Sequence, residues 1–361
     1  MTSIDETAIV AASPDATRPA TVPLATARED AVTALLGTAM MLGVLSDAWA
    51  HNNIIDTLES FFTPWHALLY AGFGATGAWI FFLAYRRRHV APEWWRDGWP
   101  AGYRLGALGV VIFLLSGGAD MVWHQVFGIE ANLAAGLSPS HLSLAVGATL
   151  LLSSPLRSWW AAGAEHGLRA AAGVAGLTLA TTVVSIFVGY GVVFTPGLPL
   201  QPYHSHTPTV NESTLASLGA SGYVVTTALL LVPLLMVHRR RATFGVATAL
   251  VGAVSMFTVI SREFPTAATV GACTAIVGAI VADLLLVRLD KVRGPDAPLR
   301  LPLAGALVAA LVWPAQLLGL HLGGGIRWPV ELWTGIIVVT IGVGAFLGGL
   351  AARPAPVTVR T

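Results

Sequence analysis

Apolar runs long enough to cross a bilayer recur along the whole chain, and they restrict the fold more than any other feature. Of 361 residues, 55% are hydrophobic and 11% are charged, a composition too apolar for a soluble protein of this size. Only helices and closed barrels satisfy the backbone in hydrocarbon. We predict an all-α, polytopic transmembrane helix bundle of about ten spans, each of roughly 20 residues. The predicted spans are 31–50, 65–85, 105–123, 140–156, 170–193, 216–237, 243–260, 265–287, 302–321 and 330–350.

The segments around these spans suggest the domain organisation. Residues 1–28 are rich in Ala, Thr, Pro and Asp, and we expect a disordered cytoplasmic tail there. Residues 29–165 would form a four-span unit that carries His/Asp metal sites. Residues 166–350 would form a six-span scaffold with a His-containing outer loop at 194–215, and 351–361 a second cytoplasmic tail.

The basic residues predict the orientation. If the N-terminus is cytoplasmic, all of the 20 lysines and arginines except Arg262 and Arg327 fall on the cytoplasmic side of the predicted spans. Cytoplasmic loops of membrane proteins carry such an excess of positive charge. We therefore predict a multi-pass plasma-membrane protein with both termini in the cytoplasm, and the preference for Arg over Lys in an Ala/Gly/Val-rich chain indicates a bacterial source.

Twice in the chain, an Asp and a His four residues apart close an apolar helix, and a further His opens the next one. The two sets are Asp47, His51 and His66, and Asp120, His124 and His141. Residues i and i+4 project from one face of a helix, so each carboxylate can share a ligand point with its imidazole, or can orient that ring as an acceptor. Such groups are costly at the membrane edge, and their repetition indicates a shared chemical task.

The helix that follows each set also has a common beginning. The two stretches read FTPWHALLYAG and LSPSHLSLAVG. Thr63 and Ser138 are suited to cap these helices, and Pro64 and Pro139 are suited to the first turn, where a backbone N–H is not needed. An antiparallel hairpin would therefore bring the third ligand level with the first two. We interpret the two hairpins as an internal repeat.

Two imidazoles and one carboxylate form a ligand set suited to copper(II), zinc or iron(II). The chain has a single cysteine, Cys273, so a thiolate cluster is not available. Three protein ligands leave room for water, oxygen or substrate. The sequence leaves open whether the six residues form two separate sites or one dinuclear centre.

Three further residues in outer loops are candidates for the same chemistry. Glu130 follows His124 and could act as a ligand, as an acceptor behind a ligand or as a general base, and we predict it as the proton-transfer residue. His204 and His206 flank Ser205 in a Pro-rich loop. In extended backbone both rings point the same way, so the pair could capture a metal ion or deliver it to the helical sites.

The Asp-x-x-x-His pattern with a distant His on the next segment resembles the copper-ligand pattern in the C subunit of the membrane copper monooxygenases, the particulate methane and ammonia oxidising enzymes. The matching positions are Asp47, His51 and His66, with Asp120, His124 and His141 as a second copy. The resemblance covers only these ligand positions. It implies copper at the outer edge of the membrane, with oxygen chemistry.

The leading functional hypothesis is a copper-binding membrane metalloprotein that performs or supports redox chemistry. One alternative is a non-enzymatic metal uptake, relay or sensing protein that receives the ion at His204 and His206, and another is a haem-binding protein. Expected partners are membrane lipid, a metal ion and either other membrane subunits or an electron donor. The chain has no basic aromatic groove that would indicate nucleic acid.

Overall fold

The computed structural model describes residues 23–54, 62–128, 132–164, 166–194, 197–240, 243–294, 297 and 299–352. Most of both predicted tails, 1–22 and 353–361, lies outside these ranges. The α-helices are α1 (Ala27–Asn53), α2 (Pro64–Tyr85), α3 (Trp94–Asp97), α4 (Arg104–Phe127), α5 (Asn132–Leu137), α6 (Pro139–Leu152), α7 (Ser154–Ala161), α8 (Leu168–Phe187), α9 (Val210–His238), α10 (Val246–Ile260), α11 (Thr266–Arg293), α12 (Arg300–Gly324) and α13 (Val330–Ala351).

The predicted all-α polytopic bundle is confirmed. In the described ranges there is no β-strand, and eight helices are long and apolar enough to cross a membrane. The other two predicted spans, 140–156 and 243–260, correspond to shorter helices. Each of the two has a distinct local feature.

The span predicted at 140–156 is divided into α6 and α7. Pro155 lacks the N–H that would bind the Leu151 carbonyl, and the Ser154 hydroxyl donates to that carbonyl instead, at 2.7 Å. Helix α6 packs along α4, and α7 reaches the beginning of α4, where a Cβ on Gly102 would lie 2.7 Å from the Ser158 amide nitrogen. Helix α6 therefore pairs with α4, while α7 turns away to pack on α8 and α1.

Helix α10 has 15 residues and is capped from the side by the neighbouring helix α11. The backbone N–H groups of Ala247 and Thr248 donate to the Asp283 carboxylate at 3.1 and 2.9 Å, and the Thr248 hydroxyl donates at 2.7 Å. Asp283 thus accepts hydrogen bonds from backbone N–H groups that have no acceptor within the first turn of α10. The residue before this helix, Gly245, provides no side-chain cap.

The first four predicted spans form two close antiparallel hairpins, α1 with α2 and α4 with α6. Glycine permits the approach of α1 and α2: a Cβ on Gly72 would lie 2.6 Å from the Met40 Cα. Their shared core contains Ile80 and Phe113, whereas a second core lies within α7–α13. Helix α8 joins the two cores, because Val183 belongs to the first and Leu177 to the second. The domain boundary at 165 stays a prediction.

A buried polar network joins the helices at the end where α1 begins. The Asp30 carboxylate is fully buried and accepts hydrogen bonds from Tyr103 at 2.7 Å and Ser158 at 3.0 Å, with the Arg169 guanidinium 3.3 Å away. Burial, with the adjacent charge of Asp30, raises the pKa of Tyr103 well above its usual value, so its hydroxyl stays protonated. Helix α1 therefore begins, at Ala27, in a fixed position.

We expect Gly72→Leu to lower the melting temperature of the detergent-purified protein. The new side chain would meet the backbone of α1, and overpacking of this kind costs about 1–3 kcal/mol or more. Gly74→Leu is the matched control, because nothing lies within 4 Å of a Cβ at Gly74. Equal melting temperatures for the two variants, measured by thermal unfolding, would contradict the packing of α1 on α2.

Candidate metal centre

Helices α1 and α2 bring together Asp47, His51 and His66, which we call the first triad. Asp47 Oδ2 lies 3.9 Å from His51 Nε2, and Asp47 Oδ1 lies 3.5 Å from His66 Nε2. Each residue offers one ligand atom, and the three atoms lie within 4.8 Å of one another. Thr63 fixes the start of α2, because its hydroxyl accepts the His66 backbone N–H at 3.1 Å. The first triad could hold a metal ion.

Helices α4 and α6 assemble Asp120, His124 and His141, the second triad, in the same way. Asp120 Oδ2 lies 3.4 Å from His124 Nε2, and Asp120 Oδ1 lies 3.3 Å from His141 Nε2. Its three ligand atoms also lie within 4.8 Å of one another. Ser138 caps α6 and accepts the His141 backbone N–H at 3.4 Å. Both sets of residues that the spacing singled out are therefore brought together.

Backbone carbonyls determine which nitrogen of each ring faces the second triad. His124 Nδ1 lies 3.2 Å from the Gly128 carbonyl, and His141 Nδ1 lies 2.8 Å from the Ala135 carbonyl. Because a carbonyl can only accept, the proton of each neutral ring sits on Nδ1. Each Nε2 then directs a lone pair towards Asp120. With both rings in this form, the two imidazoles and the carboxylate would offer three electron-pair donors to one point, and the triad could hold a metal ion.

The two triads are neighbours but separate groups. Asp47 interacts electrostatically with His124 and His141, yet the six candidate ligands converge as two sets of three. Tyr70 stands between them: its ring centroid lies 6.4 Å from that of His66. Its hydroxyl lies against α4, where a Cβ on Gly117 would be 2.5 Å from it. The sequence left open two separate sites or one dinuclear centre, and the geometry matches two adjacent sites.

The other two described candidates, His204 and His206, are not part of these groups. Glu130 lies outside the described residues. His204 Nδ1 is 2.7 Å from Glu212 Oε1, and His206 is exposed. In the part of the chain that the structure describes, neither histidine belongs to a cluster of three candidate ligands. Metal capture by His204 and His206 stays a prediction.

The sequence did not predict the groups outside the second triad that form hydrogen bonds with its ligands. The Ser140 hydroxyl donates to Asp120 Oδ1 at 2.8 Å, and the short helix α5 supplies the Ala135 carbonyl. Ser140 immediately precedes His141 in the first turn of α6, and that adjacency is the one signal that could have identified it. No residue pattern indicates a ring contact to a main-chain carbonyl such as that of Ala135.

We expect Ser138→Ala to destabilise the protein and to remove one of the two contacts of His141 Nδ1. The variant removes the cap of α6, which typically costs about 1 kcal/mol, and also removes the hydroxyl 2.8 Å from His141 Nδ1. Thermal unfolding in detergent measures the change. Ser143→Ala is the control, because that exposed hydroxyl bonds only to the preceding turn, at Pro139. A melting temperature for Ser138→Ala equal to that of the control would contradict the capping role.

The protein is thus a helical bundle of membrane-spanning character with two groups of His and Asp that could hold metal ions. Both groups lie where α1 and α4 end and where α2 and α6 begin. Comparison of the chain with protein-family models, with curated proteins and with solved structures finds no match.

Proposed function

We propose that the protein is an integral membrane metalloprotein that binds one copper ion at each triad, at the extracytoplasmic edge of the membrane, and serves redox chemistry there. The observation that carries the proposal is the orientation of the rings in the second triad. With Nδ1 of His124 and His141 donating to carbonyls, three electron-pair donors face one another. A buried arrangement of that kind is stable only when a cation or added protons balance it.

The ligand types support a transition metal, with copper preferred. Imidazole nitrogen with carboxylate oxygen suits copper(II), zinc and iron(II), and copper(II) is bound most tightly of the divalent first-row ions. The single cysteine, Cys273, belongs to neither triad, so the ligand set contains no thiolate. Zinc and iron remain the alternatives that metal analysis distinguishes.

The number of ligands supports the redox role. Three protein donors leave coordination positions for water, oxygen or a substrate. Bound copper would supply one-electron chemistry, while the protein residues hold the ion and orient its ligands. Trp49 packs on Trp65, with ring centroids 5.5 Å apart, beside His66 and therefore next to the first triad. Glu130 is our proposed proton-transfer residue, and an electron donor or another membrane subunit would complete the reaction.

The distribution of arginine supports an extracytoplasmic position for the triads. Arg86 and Arg87 pair with Glu29, and Arg169 pairs with Asp30, all at the opposite end of the helices. Because basic residues concentrate on the cytoplasmic side, that end would face the cytoplasm. The triads would then open to the outside of the plasma membrane.

The two alternative functions receive less support from the geometry. In a haem site the porphyrin would lie between paired imidazoles, but the Asp47 carboxylate lies between His51 and His66. In the uptake hypothesis His204 and His206 would receive the ion together, whereas His204 pairs with Glu212. Binding of one ion at each triad accounts for the observed contacts more simply than haem binding or uptake through His204 and His206.

Elemental analysis of the purified protein after copper loading tests the proposal. We expect two copper ions per chain in the wild type and one in either His51→Ala or His124→Ala, because each variant loses one ligand of a separate triad. The double variant should bind none. His89→Ala is the matched control, because this exposed histidine belongs to neither triad, and it should retain both ions.

Electron paramagnetic resonance of the same samples should show nitrogen coupling from imidazole in each single variant. A wild-type protein that binds no copper would overturn the proposal. Loss of both ions from either single variant would instead indicate one shared centre. Oxygen consumption by the copper-loaded protein with a chemical reductant, absent from the double variant, would separate redox activity from simple binding.

Single-cysteine labelling tests the orientation. In a Cys273→Ala background, we expect His206→Cys to react with a membrane-impermeant maleimide in intact cells, and His89→Cys to react only after permeabilisation. Both histidines are exposed, so they form a matched pair. The reverse labelling pattern would place the triads on the cytoplasmic side.

A further inference from the structure

The two triads differ in how far they are removed from solvent. The Asp120 and His124 side chains are 3% and 5% exposed, whereas those of Asp47 and His51 are 17% and 20% exposed. The third ligands are similar in the two triads, with His66 13% and His141 19% exposed. An ion in the second triad would therefore be the more enclosed on the side of the carboxylate and of the histidine that shares its helix.

The triads also differ in the hydrogen bonds that hold their ligands. Ser140, the residue before His141, donates to Asp120. The residue before His66 is Trp65, which has no hydroxyl, and among the described residues no hydroxyl donates to Asp47. The second triad therefore has a carboxylate that is oriented before any ion arrives.

The contacts of the histidine rings also differ between the two triads. In the second triad, both Nδ1 atoms face backbone carbonyls, which favour the tautomer with the proton on Nδ1. In the first triad, His66 Nδ1 faces the Thr63 hydroxyl at 3.1 Å, which can donate or accept. Groups behind the ligands typically change metal affinity 10- to 100-fold. The distances agree, because the imidazoles lie closer to Asp120 than to Asp47.

We infer that the two centres have different roles. The second triad retains a resident ion, and the first triad exchanges its ion with the outside. Ser140 is a positioning residue that favours retention by orienting Asp120. This inference rests on the proposed function, since it requires that both triads bind a transition metal.

The test is the release of copper(II) from the loaded full-length protein in detergent after addition of excess EDTA. Metal analysis follows the copper that remains bound. We expect two phases, with one ion released at least tenfold faster than the other. His51→Ala should lack the fast phase, and His124→Ala should lack the slow phase.

Ser140→Ala should accelerate the slow phase about 10- to 100-fold, the range typical for loss of a group behind a metal ligand, and leave the fast phase unchanged. Ser143→Ala is the matched control and should alter neither phase. Release of two ions at one rate, or loss of the fast phase from His124→Ala, would overturn the inference while leaving the proposed function intact. A wild-type protein that binds no copper would overturn both.

Discussion

The arrangement of polar residues in the first four spans follows from the need to balance each buried carboxylate. At the beginning of α1, Asp30 meets the permanently charged guanidinium of Arg169 and the hydroxyls of Tyr103 and Ser158. At the other end, Asp47 and Asp120 face imidazoles, which, unlike a guanidinium, carry no permanent charge. The first arrangement is electrically complete and acts as a structural junction. The second could hold a metal ion, and either that ion or added protons would balance its carboxylate.

The ends of helices make this second arrangement possible. Thr63 and Ser138 fix where α2 and α6 begin, and each places a histidine in the first turn, level with the last turns of α1 and α4. The chain turns back at the membrane edge, so polar side chains can meet there without interrupting the hydrogen bonds of a span. The two hairpins then lie side by side, separated by the ring of Tyr70. Their differences in exposure and in supporting hydrogen bonds distinguish two otherwise similar ligand sets.

The sequence predicted the features that depend on local spacing. Long apolar runs indicated the helices, and the four-residue separation of Asp and His indicated which side chains would meet. It could not predict features that depend on contacts between distant segments. The break before Pro155 fell near the end of a predicted span, so hydropathy did not reveal it. The bond from Ser140 to Asp120 and the carbonyl contact of His141 depend on how α4, α5 and α6 pack. Glu130 lies outside the described residues, and its part in the chemistry stays a prediction.

The capping of α10 by Asp283 has a consequence for biosynthesis. Fifteen residues of helix extend about 22 Å, which is less than the thickness of the hydrocarbon layer of about 30 Å. The first amide groups of α10 find their acceptor on α11, a segment that the ribosome synthesises later. Helix α10 would therefore enter the bilayer together with α11, as one antiparallel pair, and the short helix would be stabilised there by the partner that follows it.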